Sequence, residues 1–247
     1  MIQVISRAVD IMAVLEYETE GLTLSELSSR VKLPRSTVHR IVKTLEDKRL
    51  LERVSTNRGY TLGPVLLRIA SSGPAWLIRH LHGYLRNLSR EINETVDLSL
   101  RAGDHLYFVD QIPGQHRLQA VSGIGINFPL HCTAPGKAML SSMSRQEIEA
   151  VVGKSPKRHT ATTITNLPRL TQEIQKIKKT KIAYDREEHH QGICAVGTLI
   201  DNPLGLPVAV SVPVPSARFE KSERFITKQL LLSRATIERS LLAVARR

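Results

Sequence analysis

The sequence predicts an α+β chain with a small N-terminal winged helix-turn-helix domain and a larger domain in which helices cover an antiparallel sheet. Three observations predict this fold. Helical apolar patterns and a strand–turn–strand pattern fill residues 1–63, the basic residues of that region are concentrated in its second half, and strand-like and helical segments alternate after residue 77. The length of 247 residues and a hydrophobic content of 41% allow one small and one larger core.

Charge is distributed unevenly along the N-terminal region. The whole chain has a formal net charge of +12, which favours an anionic partner. Residues 1–27 contain five acidic residues and one arginine, whereas residues 28–58 contain nine basic and three acidic residues. Most of the remaining positive surplus follows residue 96, so the net charge alone does not locate a nucleic-acid site.

The first two predicted helices come before the basic segment. Apolar residues at helical spacing predict the first one: Ile5, Ala8, Met12 and Leu15. Thr23, with Glu26 three residues later, fits a capping box, and Leu27 and Val31 continue the apolar stripe. A second, short helix is therefore predicted from about residue 24 to residue 31.

The segment "KLPRSTVHR" opens a third helix, with Pro34 in its first turn. One face is apolar and predicted to be buried: Val38, Ile41, Val42 and Leu45. The candidate DNA-contacting residues lie around the opposite face: Arg35, Ser36, Thr37, His39, Arg40 and Lys43. Arginine can bind guanine O6 and N7 in bidentate fashion, and hydroxyl and ammonium groups reach phosphates and base edges. A merely solvated polar face is the alternative that one helix alone leaves open.

The segment "RLLERVSTNRGYTLG" predicts a β-hairpin after the third helix. Its strands are expected at residues 50–54 and 60–62, with the turn at residues 56–59. Three helices followed by a basic hairpin make a winged helix-turn-helix, whose third helix enters the DNA major groove. Asn57 and Arg58, at the tip of the wing, are candidates for contacting phosphate or the adjacent minor groove.

The N-terminal region resembles the IclR family of bacterial transcriptional regulators. The resemblance runs through "SRAVDIMAVLE", "LTLSELSSRVKLPRSTVHRIVKTLEDKRLLER" and "GYTLG". It implies a repressor or activator that binds double-stranded operator DNA as a homodimer or homotetramer. It also implies a DNA-binding domain over residues 1–63, a linker helix region over residues 64–76, and an effector-binding and oligomerisation domain over residues 77–247.

The larger domain mixes helices and strands. The segment after residue 63 is helical in composition with a break at residues 71–74, and leucines then form one stripe: Leu77, Leu81, Leu85 and Leu88. Strand pairs are predicted at residues 96–112, turning at 102–104, and at residues 192–215, turning at 201–207. An amphipathic helix carries Leu170, Ile174 and Ile177, and the chain is helical from Phe219 onwards.

Three further motifs extend the resemblance to the larger domain. They are "PLHCTAPGKAML", "YDREEHHQGICAVG" and "AVSVPVPSARF", and the family's domain of this kind has a GAF-like fold. The first motif can place backbone N–H groups of a helix N-terminus around a small carboxylate. The candidate effector-binding residues of this motif are Thr133, Ala134, Pro135 and Gly136. The resemblance implies that further candidates on the strands face the effector: Asp185, Cys194, Ala195, Ser211 and Pro213.

Two departures from the family pattern shape the predicted effector. Pro135 has no N–H to donate, and Pro213 stands where the family often has a serine. The family's pocket cysteine corresponds to Ala195, while Cys194 lies one residue earlier and can therefore face either side of the strand. Fewer polar groups predict a larger and more apolar organic acid than a two- or three-carbon acid, such as an aromatic carboxylate, or a related amide.

Other functional classes are weaker. An enzyme would need Cys132 or Cys194 paired with a histidine as nucleophile and base, and only the residue types support it. A metal or thiol-redox sensor would use the loose set of His131, Cys132, His189, His190 and Cys194, whose spacing matches no standard zinc finger. We therefore predict a regulator without metal or cofactor that is not an enzyme.

Composition also bears on location. Two cysteines are too few for a disulfide framework and favour a reduced, cytoplasmic protein. The first 20 residues lack the pattern of a signal peptide, and no apolar run has the length needed to span a membrane.

Overall fold

A computed structural model describes residues 2–16, 18, 20–54, 59–70, 75–203 and 205–245. The chain divides into two compact units, residues 1–77 and residues 78–247. Among the described residues, no helix combines the length and the apolar character needed to cross a bilayer.

The first unit contains three helices and a short two-stranded sheet. Its elements are α1 (Gln3–Val14), α2 (Leu24–Val31), α3 (Arg35–Asp47), β1 (Leu51–Arg53), β2 (Tyr60–Leu62) and α4 (Pro64–Ala70). The capping box predicted for α2 is confirmed, because the Glu26 N–H donates to Thr23 Oγ1 and the Thr23 N–H donates to the Glu26 carboxylate. Pro34 stands one position earlier than predicted, at the N-cap of α3.

One core holds the first unit together. The four apolar residues predicted on α3 are all buried in it, together with Ile11 of α1, Leu27 of α2 and Tyr60 of β2. Strands β1 and β2 pair antiparallel, with Leu51 opposite Leu62. The predicted wing tip, including Asn57 and Arg58, lies outside the described residues, as does the predicted helix break at residues 71–74.

The second unit is built on a six-stranded antiparallel sheet. Its elements, including the long helix that leads into it, are α5 (Ala75–Ile92), β3 (Val96–Ala102), β4 (His105–Ile112), β5 (Asn127–Pro129), α6 (Ala134–Leu140), α7 (Arg145–Val152), α8 (Leu167–Thr180), β6 (Ala183–Arg186), β7 (Ile193–Ile200), β8 (Val208–Pro215) and α9 (Ser216–Ala245). The strand order is β5-β4-β3-β8-β7-β6. This arrangement confirms the predicted α+β class.

Helices cover both faces of this sheet. Helix α9 packs on β7 and β8, and the Tyr184 hydroxyl on β6 lies 3.1 Å from the Thr227 hydroxyl on α9. On the other face, α6, α7 and α8 share one apolar core with residues of β4, β6 and β8. Both faces are therefore dry over much of the sheet, and every residue of β8 is buried.

Candidate functional site

The exposed face of α3 carries the residues predicted to contact DNA. Arg35, Ser36, His39, Arg40 and Lys43 are exposed, and Thr37 is half-buried. The buried stripe of α3 fixes this orientation, since the opposite side of the helix is held in the core. Within the described residues, neither Arg40 nor Lys43 forms an ion pair with an acidic side chain, so both cations are available to an external anion.

Two other arginines of the first unit are already engaged. Arg53 binds Glu46 at 3.0 Å and lies over the ring of Tyr60, 5.2 Å from its centroid. Arg30 is paired with Glu18. These two guanidinium groups are therefore less available to an external anion than Arg40 and Lys43 of α3.

A cavity of about 310 Å³ opens on the α6 side of the six-stranded sheet. It brings together seven of the nine predicted effector-binding residues: Thr133, Ala134, Pro135, Asp185, Ala195, Ser211 and Pro213. The remaining lining residues are Asp97, Phe108, Ala120, Val121, Ser122, Phe128, His189, His190 and Ile193. The lining therefore contains two carboxyl groups, several hydroxyl groups and an apolar wall.

Strand register explains why these residues meet. Asp185 lies opposite Ala195, and Ala195 lies opposite Pro213. Asp97 lies opposite Ser211, two residues before Pro213 on the same strand. Directly paired residues and residues two apart share a face of a sheet, so all five point toward the cavity.

Cys194 lies on the opposite face of β7 and does not line the cavity. It is paired with Val214 and Arg186, and its Sγ lies 3.4 Å from the Ser216 hydroxyl at the start of α9. Its inclusion among the effector-binding residues is not matched by the structure, because the one-residue offset from Ala195 reverses the direction of its side chain.

The N-terminus of α6 presents fewer donors than the sequence predicted. The Gly136 N–H donates to the Thr133 hydroxyl at 3.2 Å, and the Lys137 N–H donates to the Thr133 carbonyl. Pro135 has no N–H. Thr133 therefore caps the helix and takes up the Gly136 N–H, which leaves the Ala134 N–H as the donor of the first turn without a partner among the described residues.

Glycines allow this end of α6 to lie close to its neighbours. A Cβ at Gly197 on β7 would come within 2.8–3.0 Å of the backbone of Ala134 and Pro135. A Cβ at Gly136 would lie 2.4 Å from the Leu130 carbonyl oxygen, which places Gly136 against the preceding loop and not among the lining residues.

Two buried aspartates form the polar part of the cavity. Asp97 accepts hydrogen bonds from Gln111 Nε2 at 2.6 Å and from the Ser122 hydroxyl at 2.5 Å. Asp185 accepts one from the Glu188 N–H at 2.7 Å. Burial raises the pKa of Asp97 to about 6 and that of Asp185 to about 7, because desolvation disfavours the charged form more than these hydrogen bonds stabilise it.

The turn that follows β6 is fixed by a buried ion pair. Lys137 on α6 binds Glu188, and both side chains are buried. The Thr163 hydroxyl donates to the Glu188 carbonyl at 2.6 Å. These contacts hold His189 at the rim of the cavity, 4.7 Å from the ring of Phe128. Burial, with other histidines nearby, lowers the pKa of His189 to about 4, so its imidazole is neutral at pH 7.

Sequence reasoning missed Asp97, Ser122 and the two phenylalanines. Asp97 alternates with Val96 and Leu98, a pattern that usually marks a strand with one face in water. Here both faces of β3 are covered, and Asp97 is fully buried. The signal that could have found it is its pairing with Ser211, which depends on the register of two strands far apart in sequence.

The histidines and cysteines group differently from the predicted set. The ligand atoms of His131, Cys132 and His159 lie within 4.8 Å of one another, and the sequence had not pointed to His159. His131 Nε2 lies 2.8 Å from the Lys157 carbonyl, to which it can donate. Burial raises the pKa of the Cys132 thiol well above its usual range, which keeps it protonated and a poor nucleophile.

Comparison with family models identifies both halves of the chain. Residues 4–55 match the IclR helix-turn-helix domain, and residues 74–237 match the bacterial transcriptional regulator IclR C-terminal domain. Neither match lends support to an enzymatic or metal-sensing interpretation.

Curated relatives cover nearly the whole chain. The chain is 41% identical to the HTH-type transcriptional regulator Rv1719 of Mycobacterium tuberculosis, over 93% of this chain and 89% of that protein. It is 35% identical to the HTH-type transcriptional regulator TtgV of Pseudomonas putida, over 97% of this chain and 92% of that protein.

Solved structures share the fold. The IclR protein of Thermotoga maritima is 26% identical, with a TM-score of 0.76 and coverage of 98% of this chain and 99% of that one. An IclR homologue from Microbacterium hydrocarbonoxydans, complexed with 4-hydroxybenzoate, is 18% identical, with a TM-score of 0.84 and coverage of 97% and 99%.

Proposed function

Because the chain belongs to the IclR family of bacterial transcriptional regulators, we propose that it binds operator DNA through α3 and responds to a small molecule held in the cavity beside α6. It is a DNA-binding regulator and not an enzyme. The observation that carries the proposal is the cavity, which gathers seven predicted effector-binding residues in a unit separate from the one that carries α3.

The DNA-binding half of the proposal is supported by the chemistry of α3. Arg40 and Lys43 lie one turn apart on an exposed face, and Ser36 precedes Arg40 by another turn. This row can donate to base edges and phosphates in a major groove, which is the docking mode of a helix-turn-helix.

The sensing half is supported by the form of the cavity. Its volume of about 310 Å³ exceeds that of a two- or three-carbon acid, and Phe108 and Phe128 provide an aromatic wall. The homologue complexed with 4-hydroxybenzoate is an example of this fold binding a small aromatic carboxylate, one that also carries a hydroxyl donor. We infer an effector with an apolar or aromatic body. The organic acid expected from the sequence needs cations or free donors, and the lining offers few of them.

Assembly and location follow from the proposed function. Dimeric helix-turn-helix proteins read two half-sites, so we propose a homodimer or homotetramer acting on a pseudo-palindromic operator. Binding to chromosomal DNA places the protein in the cytoplasm.

The test of DNA binding is Arg40→Ala in an anisotropy or electrophoretic assay with the intergenic DNA beside the protein's own gene. If Arg40 contacts a base, operator affinity falls by about 1–3 kcal/mol, and discrimination at that base pair relaxes. Arg224→Ala, on the exposed surface of α9, removes the same charge and is expected to leave affinity nearly unchanged. Equal affinity and equal salt dependence of wild type and Arg40→Ala would remove this residue from the interface.

A further inference from the structure

We propose that the effector presents a non-anionic hydrogen-bond donor, such as a hydroxyl, amide or ammonium group, and that Asp97 and Asp185 select it over a carboxylate. The inference rests on the proposed function, because it assigns a ligand chemistry to the same cavity. The effector keeps the apolar or aromatic body inferred above, but carries a hydrogen-bond donor group in place of the carboxylate of an organic acid.

The charges that line the cavity argue against an anion. The lining has two carboxyl groups and two imidazoles, those of His189 and His190, and no lysine or arginine of the described residues contributes to it. The nearest buried cation on α6, Lys137, is bound to Glu188 and is absent from the lining. A carboxylate ligand would therefore add a third acidic group without a compensating cation, and like charges repel strongly where water is excluded.

Several donors around the cavity are already in use, although the described residues give no hydrogen-bond partner to the Ser211 hydroxyl or to the Ala134 N–H. The Ser122 hydroxyl donates to Asp97, and the Thr133 hydroxyl donates to the Pro129 carbonyl at 2.8 Å. The Gly136 N–H is taken by Thr133, and Pro135 has no N–H. A carboxylate needs several donors aimed at its two oxygens, and the helix N-terminus that the sequence suggested for this purpose offers only the Ala134 N–H.

Acceptors, in contrast, are in excess. A carboxylate has about four lone-pair sites. The Asp97 side chain accepts one hydrogen bond on each oxygen, and Asp185 accepts the Glu188 N–H on Oδ1. Both groups therefore have spare acceptor capacity next to the cavity. A ligand that donates hydrogen bonds to these two carboxyl groups fills acceptor sites that the protein's own donors leave open.

The ionisation of the two aspartates agrees with this geometry. Their raised pKa values, about 6 and about 7, result chiefly from burial. The acidic, basic and thiol groups that interact with Asp185 or share the cavity with it are Lys137, Glu188, Cys132, Cys194, His189 and His190. The ammonium group among them, that of Lys137, is already paired with Glu188. A bound donor stabilises the ionised carboxylate, whereas a bound anion opposes it.

The test compares four probes that share one phenyl ring: benzyl alcohol, benzamide, benzylamine and benzoate. Binding to the purified full chain is measured by calorimetry and by thermal shift at pH 7.5. At least one donor probe is expected to bind roughly tenfold or more tightly than benzoate, since one uncompensated buried like-charge contact costs at least that factor.

Asp185→Asn keeps the size of the side chain and its acceptor oxygen but removes the charge. It is expected to narrow the gap between donor probes and benzoate severalfold, and to weaken benzylamine most. Asp104→Asn is the matched control, because Asp104 is 67% exposed and lies outside the cavity lining. That variant is expected to keep the wild-type order of affinities.

Tighter binding of benzoate than of every donor probe overturns the inference, as does stabilisation by none of the donors. An unchanged selectivity in Asp185→Asn also overturns the role of this carboxylate. None of these results changes the outcome expected for operator binding in the DNA assay. Failure to bind operator DNA specifically would instead count against the proposed function, with the probe series unaffected.

Discussion

At the scale of single residues, Asp185 carries two opposing consequences of burial. Its carboxyl is 5% exposed and lies at the cavity, where it offers acceptor capacity to a ligand. The same burial raises its pKa to about 7 from an ordinary value of 3.8. Ionisation of Asp185 therefore costs stability in the unliganded fold, while its hydrogen bond from the Glu188 N–H caps the turn after β6. The carboxyl thus has a structural contact as well as a position from which it can bind a ligand.

This shift predicts a pH dependence of stability. Between about pH 4 and pH 7 the folded protein holds a proton on Asp185 that the unfolded chain has released, so stability falls as pH rises through this window. Asp185→Asn removes this contribution. The unfolding free energy of the variant minus that of wild type should therefore increase from pH 5 to pH 8, by an amount on the order of 2 kcal/mol.

Urea unfolding of both proteins at pH 5 and pH 8 measures this difference directly. Asp104→Asn, at an exposed position, serves as the reference for a carboxyl outside the cavity. A stability difference between Asp185→Asn and wild type that stays constant from pH 5 to pH 8 contradicts the raised pKa.

Residue-level prediction from sequence succeeded where a side chain's direction depends on local periodicity. The buried stripe and the exposed cations of α3 follow from its 3.6-residue repeat, and the structure places them as predicted. Prediction failed where direction depends on pairing between distant strands. Asp97 points into the cavity, an outcome that depends on a register that no short segment encodes. The direction of Cys194, which the sequence left open, is opposite to that of its neighbour Ala195.

At the scale of secondary-structure elements, the start of α6 depends on a close approach to β7. Gly197 is the contact point, since its missing side chain leaves room for the backbone of Ala134 and Pro135. A short helix of this kind is held by packing more than by its own propensity. The position of the cavity wall is therefore set by a glycine outside the motif that carries the helix.

Two alanine substitutions separate this role from general glycine effects. Gly197→Ala places a Cβ 2.8 Å from the Ala134 carbonyl carbon, and rigid backbone must shift to relieve it. We expect a loss of about 2 kcal/mol or more in unfolding free energy and weaker probe binding. Gly83→Ala, in the middle of α5 with open space at its Cβ, should stabilise by about 0.5–1 kcal/mol.

Denaturant unfolding and the calorimetric assay described above measure both properties for each variant. Both variants replace glycine with alanine. If both lose stability equally, the cause is the loss of glycine itself and not the contact between Gly197 and α6. Retention of wild-type probe affinity in a stably folded Gly197→Ala protein would show that the approach of α6 to β7 does not shape the cavity.

Elements with strong local signals were predictable, and weak ones were not. The boundaries of α2 follow from its capping box, and the β7–β8 pair follows from two apolar runs around a turn. The short strand β5 and the helix α7 were not predicted, although α7 begins with a capping box of its own at Ser144 and Glu147. Three-residue strands have almost no periodicity, so tertiary pairing alone defines them.

At the scale of the whole molecule, the two compact units divide the proposed function between them. The first carries the exposed basic face of α3, and the second carries the cavity. A regulator of this kind works only if ligand binding and DNA binding are coupled. Any effector that changes operator affinity must bind the DNA-competent and DNA-incompetent states with different affinities.

Thermodynamic linkage turns this requirement into a prediction. If the tightest of the donor probes changes operator affinity by some factor, operator DNA must change the affinity for that probe by the same factor, expected to lie at about 5–150. Anisotropy titrations of operator DNA with and without saturating probe give one factor, and calorimetric titrations of the probe with and without operator DNA give the other. If Asp185 contacts the probe more closely in one of the two states, Asp185→Asn reduces both factors by the same amount, whereas Arg40→Ala lowers operator affinity with little change in the coupling ratio. A probe that binds the cavity without changing operator affinity would mean that this cavity is not the regulatory site, whereas two unequal factors would show only that the two titrations do not report the same equilibrium.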